Sequence, residues 1–450
     1  MKYKNIYFIG IGGIGMSAIA RFCKFKGYSV SGYDRTESEL TRALASEGID
    51  VHYCDDCSYI PEDIASTLVI YTPAVPADMG ELTYVREKGY KVLKRSQMLG
   101  ELTRGETCLA VAGTHGKTTT STMIAHILTE GSAGCSAFLG GISKNYNTNM
   151  LVSETPTVVV EADEFDRSFL QLHPSIAAIT SIDADHLDIY GDYEHVLEAF
   201  REFASQVSEA VILKYGLPLR KTDISAKVFT YHFDDPRADF RSSNLRLDES
   251  GHYIYDLIYP GGTLKDIKVG ALGWINVENS IAAAAICLCY GMDGQKVRHA
   301  IGSFEGAKRR LDLQVSKEGI TYIDDYAHHP AELAGAISSI KQIFPDRKIT
   351  GIFQPHLYTR TRDFAAEFAE SLSGLDKLIL LDIYPARELP IEGVNSEMIF
   401  KDVTAAEKVL LRRDQLMEYL AQEEVDVLVT LGAGDIDRFI QPIAEMLSNR

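Results

Sequence analysis

Between Thr107 and Thr122 the chain reads TCLAVAGTHGKTTTST, an apolar run that breaks into Gly113-Thr114-His115-Gly116-Lys117-Thr118 and continues as an alcohol-rich stretch. A strand that turns through glycines into a helix leaves the first helical N–H groups without intrahelical partners, and these can cradle phosphate oxygens. In such a loop the lysine, here Lys117, reaches the β and γ phosphates, and the next hydroxyl, Thr118, sits on Mg2+. The full Walker pattern places a glycine five residues before Gly116, where this chain has Val111. The strand, turn and helix context of Gly-Lys-Thr is complete all the same. The reading is an ATP-type triphosphate site made of Gly113, Thr114, His115, Gly116, Lys117, Thr118 and Thr119. The bland alternative is a glycine turn feeding an ordinary helix.

Two carboxylate-rich stretches follow apolar runs further on. Thr157 to Val160 ends in Glu161-Ala162-Asp163-Glu164-Phe165-Asp166, and Ser175 to Thr180 runs into Ser181-Ile182-Asp183-Ala184-Asp185-His186. A parallel strand beside the phosphate-loop strand delivers its C-terminal carboxylate to the same sheet edge, so Glu161 is a candidate Mg2+ ligand, direct or through water. Glu164 and Asp166 suit a solvated acidic loop. His186 arrives with acids at the same rim and is a candidate for a second metal or for the γ-phosphate.

The elements that must position these groups are short apolar runs alternating with helical stretches. Strand Tyr3 to Ile9 precedes Gly10-Ile11-Gly12-Gly13-Ile14-Gly15, a Rossmann-type turn that places a helix N-terminus where a diphosphate binds. A second strand, Tyr28 to Tyr33, ends at Asp34, which reads equally as a ribose ligand or a helix cap. Further strands fall at Thr67 to Tyr71 and Lys91 to Leu93, giving a small doubly wound sheet. Asn276 and Asn279 open a helix that runs to Tyr290; one turn apart, they can read a base edge or act as caps.

Lys308-Arg309-Arg310 is either a solvated basic face or a group that meets nucleotide phosphates across a cleft. Strands Ile320 to Ile323, Lys348 to Phe353, Leu378 to Leu381 and Val425 to Leu431 each end in polar residues, which describes another α/β sheet with a loaded ligand edge. Pro330 suits the first turn of a helix, and Arg360 and Arg362 can bind a small carboxylate in bidentate fashion.

The 450 residues, at roughly 150 per domain, suggest three domains. The expected division is 1–106, a Rossmann-like sheet; 107–306, a central phosphate-loop sheet; and 307–450, a C-terminal Rossmann-like sheet, all of the α/β class. A formal charge of −18 argues against broad nucleic-acid or anionic-membrane binding. It does not oppose ATP, because charge beyond about 8 Å is largely screened. A lysine ~4 Å from a phosphate gains roughly 4 kcal/mol at an effective dielectric near 20.

Seven cysteines without a repeated spacing fit a reducing compartment. Cys54 and Cys57 read as plain thiols or an oxidisable pair, and Cys287 and Cys289 as buried helix core. No apolar run approaches the ~20 residues of a membrane span, and no signal peptide precedes the first strand. A cytoplasmic protein is expected, and both a monomer and a homodimer are compatible with these features.

In order along the chain stand GIGGIGMS (Gly10 to Ser17), GTHGKTTT (Gly113 to Thr120), EADE (Glu161 to Glu164) and DADHLDIYGD (Asp183 to Asp192). NVENSIAA (Asn276 to Ala283), DDYAHHP (Asp324 to Pro330), FQPH (Phe353 to His356) and GAGDI (Gly432 to Ile436) follow. This ordered set resembles the Mur ligase family over essentially the whole chain, and within it the alanine-adding branch.

The resemblance implies ATP- and Mg2+-dependent joining of L-alanine to the lactyl carboxylate of UDP-N-acetylmuramate through an acyl phosphate. It assigns the sugar nucleotide to Gly12, Gly13, Ile14, Gly15 and Asp34, and ATP to the phosphate loop with Asn276, Asn279 and Arg310. Metal falls to Thr118, Glu161 and His186, catalysis to Lys117, Glu161 and His186, and the amino acid to His329, Arg360 and Arg362. No lysine occurs between Ser181 and Leu213, as in that branch and unlike the ligases for later amino acids, which carry a carbamylated one. Leu357 and Ile275 stand where an arginine and a histidine are common, which shifts the carboxylate clamp to Arg360 or Arg362 and alters contacts to the base. The competing readings are a recycling ligase that attaches a preformed peptide to the same sugar nucleotide, an NAD-dependent oxidoreductase, and a nucleotide-switched binding protein.

Overall fold

The computed structural model describes residues 3–184, 187–386 and 388–450. His186, the expected metal ligand, lies outside the described residues. Three sheets carry the fold. The first is parallel, with β1 (Asn5–Ile9), β2 (Ser29–Tyr33), β3 (Asp50–His52), β4 (Thr67–Tyr71) and β5 (Lys91–Lys94) in the order β3-β2-β1-β4-β5. Helix α1 (Ile14–Phe25) follows the glycine turn after β1, and α2 (Arg95–Thr103) follows β5 directly.

The central sheet has ten strands: β6 (Thr107–Ala112), β7 (Ser136–Ser143), β8 (Thr148–Leu151), β9 (Thr157–Ala162), β10 (Ile176–Ile179), β11 (Ala210–Lys214), β12 (Lys227–His232), β13 (Phe240–Leu247), β14 (Tyr253–Tyr259) and β15 (Gly262–Lys268). Their order is β15-β14-β13-β12-β11-β10-β6-β9-β7-β8. β6 lies between β9 and β10 with parallel register, Ala112 opposite both Ala162 and Ile179. The three strands therefore end at one edge. Two strands, β7 and β8, intervene between the phosphate-loop helix and β9, where the sequence suggests β9 as the next strand. Leu139-Gly140-Gly141 breaks the apolar run of β7, so periodicity alone conceals it.

Helix α3 (Lys117–Glu130) follows the phosphate loop, and its alcohols Thr118 to Thr122 are all buried. Two of them bond locally: Ser121 Oγ and Thr122 Oγ1 donate to the Thr118 carbonyl at 3.1 and 2.6 Å. Helix α4 (Trp274–Tyr290) comes after β15.

The third sheet holds β16 (Asp312–Lys317), β17 (Ile320–Asp325), β18 (Ile349–Phe353), β19 (Lys377–Leu381), β20 (Glu407–Leu411) and β21 (Val427–Leu431), in the order β16-β17-β21-β18-β19-β20. Among the described residues, β16 runs antiparallel to β17, while the other neighbouring pairs of this sheet are parallel. It and β20 add two edge strands to the four expected. Asp325, Leu431 and Phe353 are in register, so the loops after β17, β21 and β18 share an edge. Pro330 opens helix α5 (Pro330–Ile343), and α6 (Tyr358–Asp363) follows β18.

The sheets divide between two compact units. The first comprises Met1–Ser243, Tyr255–Ile267 and Asn279–Glu305; the second comprises Asn244–Ile254, Lys268–Glu278 and Gly306–Arg450. No described helix is long and apolar enough to cross a membrane.

Candidate active site

In the first unit β6 runs fully buried from Cys108 to Ala112 into Gly113, whose φ of +140° a side chain rarely adopts. A Cβ there would overlap the Thr180 hydroxyl and lie 2.9 Å from the Ser181 nitrogen. The loop is pinned to the strand-end segment after β10. Thr114 N–H donates to the Ser181 carbonyl (3.2 Å), Thr114 Oγ1 donates to Asp183 Oδ2 (2.7 Å), and His115 N–H donates to Ser181 Oγ (2.7 Å). His115 Nε2 also lies 3.2 Å from Asp183 Oδ2. Gly116 caps α3 in the left-handed region (φ 79°) without a side-chain cap bond, which leaves the helix N-terminus as an anion site.

Lys117 Nζ donates to the Gly113 carbonyl at 2.5 Å and to Glu164 Oε1 at 3.0 Å. Burial alone would lower the ammonium's pKa, but the carboxylates of Glu164, Glu161 and Asp163 outweigh it and hold the group above its ordinary value. Glu164 is therefore no solvated loop residue. It is 2% exposed and lies directly on the lysine, a contact between positions 47 apart that no local pattern reveals. Asp166 does stay at the surface, paired with Lys94 at 3.1 Å.

Glu161, the penultimate residue of β9, is half-buried and accepts the Gly140 N–H on Oε2 at 3.1 Å. A Cβ on Gly140 would overlap this carboxylate, and one on Gly141 would come within 3.0 Å of the Thr118 methyl. Thr118 and Glu161 are thus served by one stretch of β7, and both offer the hard oxygen donors that Mg2+ prefers. These residues fit the metal. Asn279 Oδ1 accepts from Thr120 Oγ1 at 3.3 Å and would meet a Cβ on Gly116 at 2.9 Å, so it stands at the loop's mouth.

Glu161 also lines a cavity of about 290 Å3 that Gly13, Ile14 and Gly15 line at the start of α1. Gly12 N–H donates to Asp34 Oδ2 at 2.7 Å, so Asp34 holds the glycine turn whatever else it contacts. Arg95 lines the same cavity and donates to Asp163 Oδ2 at 2.9 Å. Sequence reasoning passed over it, although its place directly after β5 marks it as a sheet-edge residue. Ser181 and Asp183 were legible only as neighbours of His186, not as the anchors of the phosphate loop.

The second unit gathers another set. Arg309 belongs to its framework and is no free cation: Nε donates to buried Asp324 (3.0 Å) and Nη2 to the Gly432 carbonyl (2.6 Å). Arg310 lies over the Tyr326 ring, 5.0 Å from its centroid. His329 caps α5, and Glu332 Oε2 accepts the N–H groups of His328 and His329 at 3.0 and 3.3 Å. Burial, abetted by Arg360, pushes the His328 imidazole down to about 4, and burial with His328 and Arg360 does the same to His356. Arg360 is therefore grouped with these histidines. Arg362 is turned to its neighbour Asp363 at 2.7 Å and is half-exposed. Burial raises Asp325 to about 6 even though it accepts the N–H groups of Leu311 (2.7 Å) and Ala327 (2.8 Å). Asn276 is 2% exposed, and its Nδ2 donates to the Leu272 carbonyl at 2.7 Å, a bond back to the segment before the helix.

A glycine-rich strand–turn–helix loop and a Rossmann-like glycine turn in the first unit, and an α/β sheet bearing clustered histidines and arginines in the second, are the parts of an ATP-dependent ligase. The chain belongs to the Mur ligase family: residues 5–107 match the Mur ligase family catalytic domain, 111–287 the Mur ligase middle domain and 309–434 the Mur ligase glutamate ligase domain. It is 50% identical over 454 residues to the UDP-N-acetylmuramate–L-alanine ligase of Porphyromonas gingivalis, covering 99% of both chains. The corresponding ligase of Christiangramia forsetii is 46% identical, with 99% of this chain and 98% of that one covered. The crystal structure of UDP-N-acetylmuramate–alanine ligase from Thermotoga maritima superposes with a TM-score of 0.85 at 27% identity, covering 99% of each chain. A murein peptide ligase from Psychrobacter arcticus shares the fold with a TM-score of 0.71 at 21% identity and 99% coverage of each.

Proposed function

We propose that the protein joins L-alanine to the lactyl carboxylate of UDP-N-acetylmuramate at the expense of ATP, as a cytoplasmic step of peptidoglycan precursor synthesis. The observation that carries this reading is the shared cavity, lined both by the glycine turn assigned to the diphosphate and by Glu161. A sugar nucleotide held at the α1 N-terminus would extend its carboxylate toward the triphosphate. Identity near 50% over the full chain to alanine-adding relatives favours this acceptor over a preformed peptide.

A carboxylate does not acylate an amine near neutral pH, because its oxygen is a poor leaving group. Transfer of the γ-phosphate to it gives an acyl phosphate, which the alanine amine attacks with release of phosphate. Lys117 and the first N–H groups of α3 neutralise charge on the transferring phosphoryl group. Thr118 and Glu161 would hold Mg2+, which when bound screens the phosphate charge. Asn276, Asn279 and Arg310 are assigned to ATP. Asp34 and residues Gly12 to Gly15 take the sugar nucleotide. His329, Arg360 and Arg362 receive the amino acid, with Arg360 carrying more of the clamp because Leu357 supplies no cation. The functional domains are 1–106, 107–306 and 307–450.

The test is phosphate release from ATP and Mg2+ with UDP-N-acetylmuramate, comparing no acceptor, L-alanine and a tripeptide. Release only with L-alanine, matched by the product mass, is expected. Release only with the tripeptide, or without any acceptor, overturns the assignment.

A further inference from the structure

Hairpin β7–β8 is irregular at one point. Phe138 pairs with Met150 and Ser143 with Thr148, so Leu139 to Ile142 bulge opposite the single residue Asn149. A bulge turns backbone groups out of the ladder, and here it delivers the Gly140 N–H to Glu161 and brings Gly141 against Thr118. Asn149 itself is fully buried and bonds to α1. Its Nδ2 donates to the Ile14 carbonyl (2.5 Å) and to Ser17 Oγ (3.1 Å), while Oδ1 accepts from Arg21 Nη1 (2.5 Å). Ile14 and Ser17 are in the first turn of α1, the turn that opens the sugar-nucleotide cavity.

We propose that Asn149 is a positioning residue that fastens the α1 N-terminus to the bulge, and so couples the sugar-nucleotide site to the Glu161 and Thr118 end of the ATP site. This rests on the reading of that cavity as the sugar-nucleotide site. Three bonds from one buried amide fix the helix start against β8, and the bulge on the partner strand fixes Glu161. A shift of α1 on filling its N-terminal site is therefore transmitted through a stiff, polar strut. The apolar contact of Phe22 with Phe138, ring centroids 5.3 Å apart, joins α1 to the other strand of the hairpin, β7, but specifies no register.

The experiment is calorimetric binding of UDP-N-acetylmuramate with and without a non-hydrolysable ATP analogue and Mg2+. The wild type should show an affinity ratio on the order of 10, within the usual range for coupled sites. Asn149→Ala should bring the ratio close to 1, with sugar-nucleotide binding still measurable. Phe22→Leu should lower the melting temperature and keep the wild-type ratio, which separates loss of coupling from loss of stability. If N149A does not accumulate folded, Asn149→Ser replaces it. A wild-type ratio of 1, or an N149A ratio equal to that of the wild type, overturns the proposal. Failure of the wild type to bind UDP-N-acetylmuramate at all refutes the functional reading instead.

Discussion

Lys117 and Glu164 show how much a single buried pair can hold. The lysine is bound by a loop carbonyl and a carboxylate that is almost fully desolvated, so its charge is already partnered within the loop. Lys117→Ala removes the only loop cation directly preceding Thr118 and should abolish phosphate release while sugar-nucleotide affinity stays at the wild-type level; equal loss of both in a binding assay would refute that division of labour. Glu164→Ala poses the complementary case, because it leaves the ammonium buried without its carboxylate. Breaking such a pair costs about 3 kcal/mol. Bound ATP restores an anion to the lysine, so in denaturant titrations E164A should gain more stability from Mg2+ and ATP than the wild type does. Equal gains would show that the phosphates and Glu164 do not share this partner.

At the scale of elements, the bulge in β7 is the feature with the sharpest consequence. Gly140→Ala places a methyl where the Glu161 carboxylate lies, and displacement of a catalytic group by about 1 Å can cost on the order of 100-fold in rate. Steady-state kcat should fall by that order with circular dichroism unchanged; an unaffected kcat would deny Glu161 its assigned place. The sequence did not disclose this bulge, and the reason is physical. Strands β6, β9 and β10 sit inside the sheet with both faces covered, so they read as unbroken apolar runs. β7 has two glycines in its middle and β8 buries an asparagine, both against the pattern of a strand. β13 ends in exposed residues and offers no continuous run. The chemistry-bearing loops were legible because they follow the apolar strands. Glu164, Arg95 and Asn149 were not, because each is defined by a partner distant in sequence.

On the scale of the whole molecule, the two compact units allow unfolding in more than one step, so a global melting curve mixes them. The protein carries one tryptophan, Trp274, in the second unit, where its indole N–H donates to Ser338 Oγ at 3.0 Å. Its fluorescence isolates that unit, which also holds His328, His356, Asp324 and Asp325. His356 ionises ordinarily near 6.5 and is lowered to about 4 in the fold, chiefly by burial. The folded state keeps it neutral while the unfolded chain takes a proton, so its contribution is complete above pH 6.5 and is lost as pH falls toward 4. The full loss is about 3 kcal/mol. His328 acts in the same direction. Asp325, raised from 3.8 to about 6, acts in the opposite one, stabilising the fold progressively as pH falls from 6 to 3.8, and burial gives Asp324 the same sign. The opposing signs make the wild-type slope a poor reporter of any one group, whereas a difference between variants isolates it. His356→Gln cannot titrate, so between pH 7 and 4 it should lose about 3 kcal/mol less than the wild type in urea unfolding followed by Trp274. Parallel pH profiles for the two proteins would mean that His356 is protonated as readily in the fold as in the unfolded chain, and that the histidine cluster beside Arg360 is open to water.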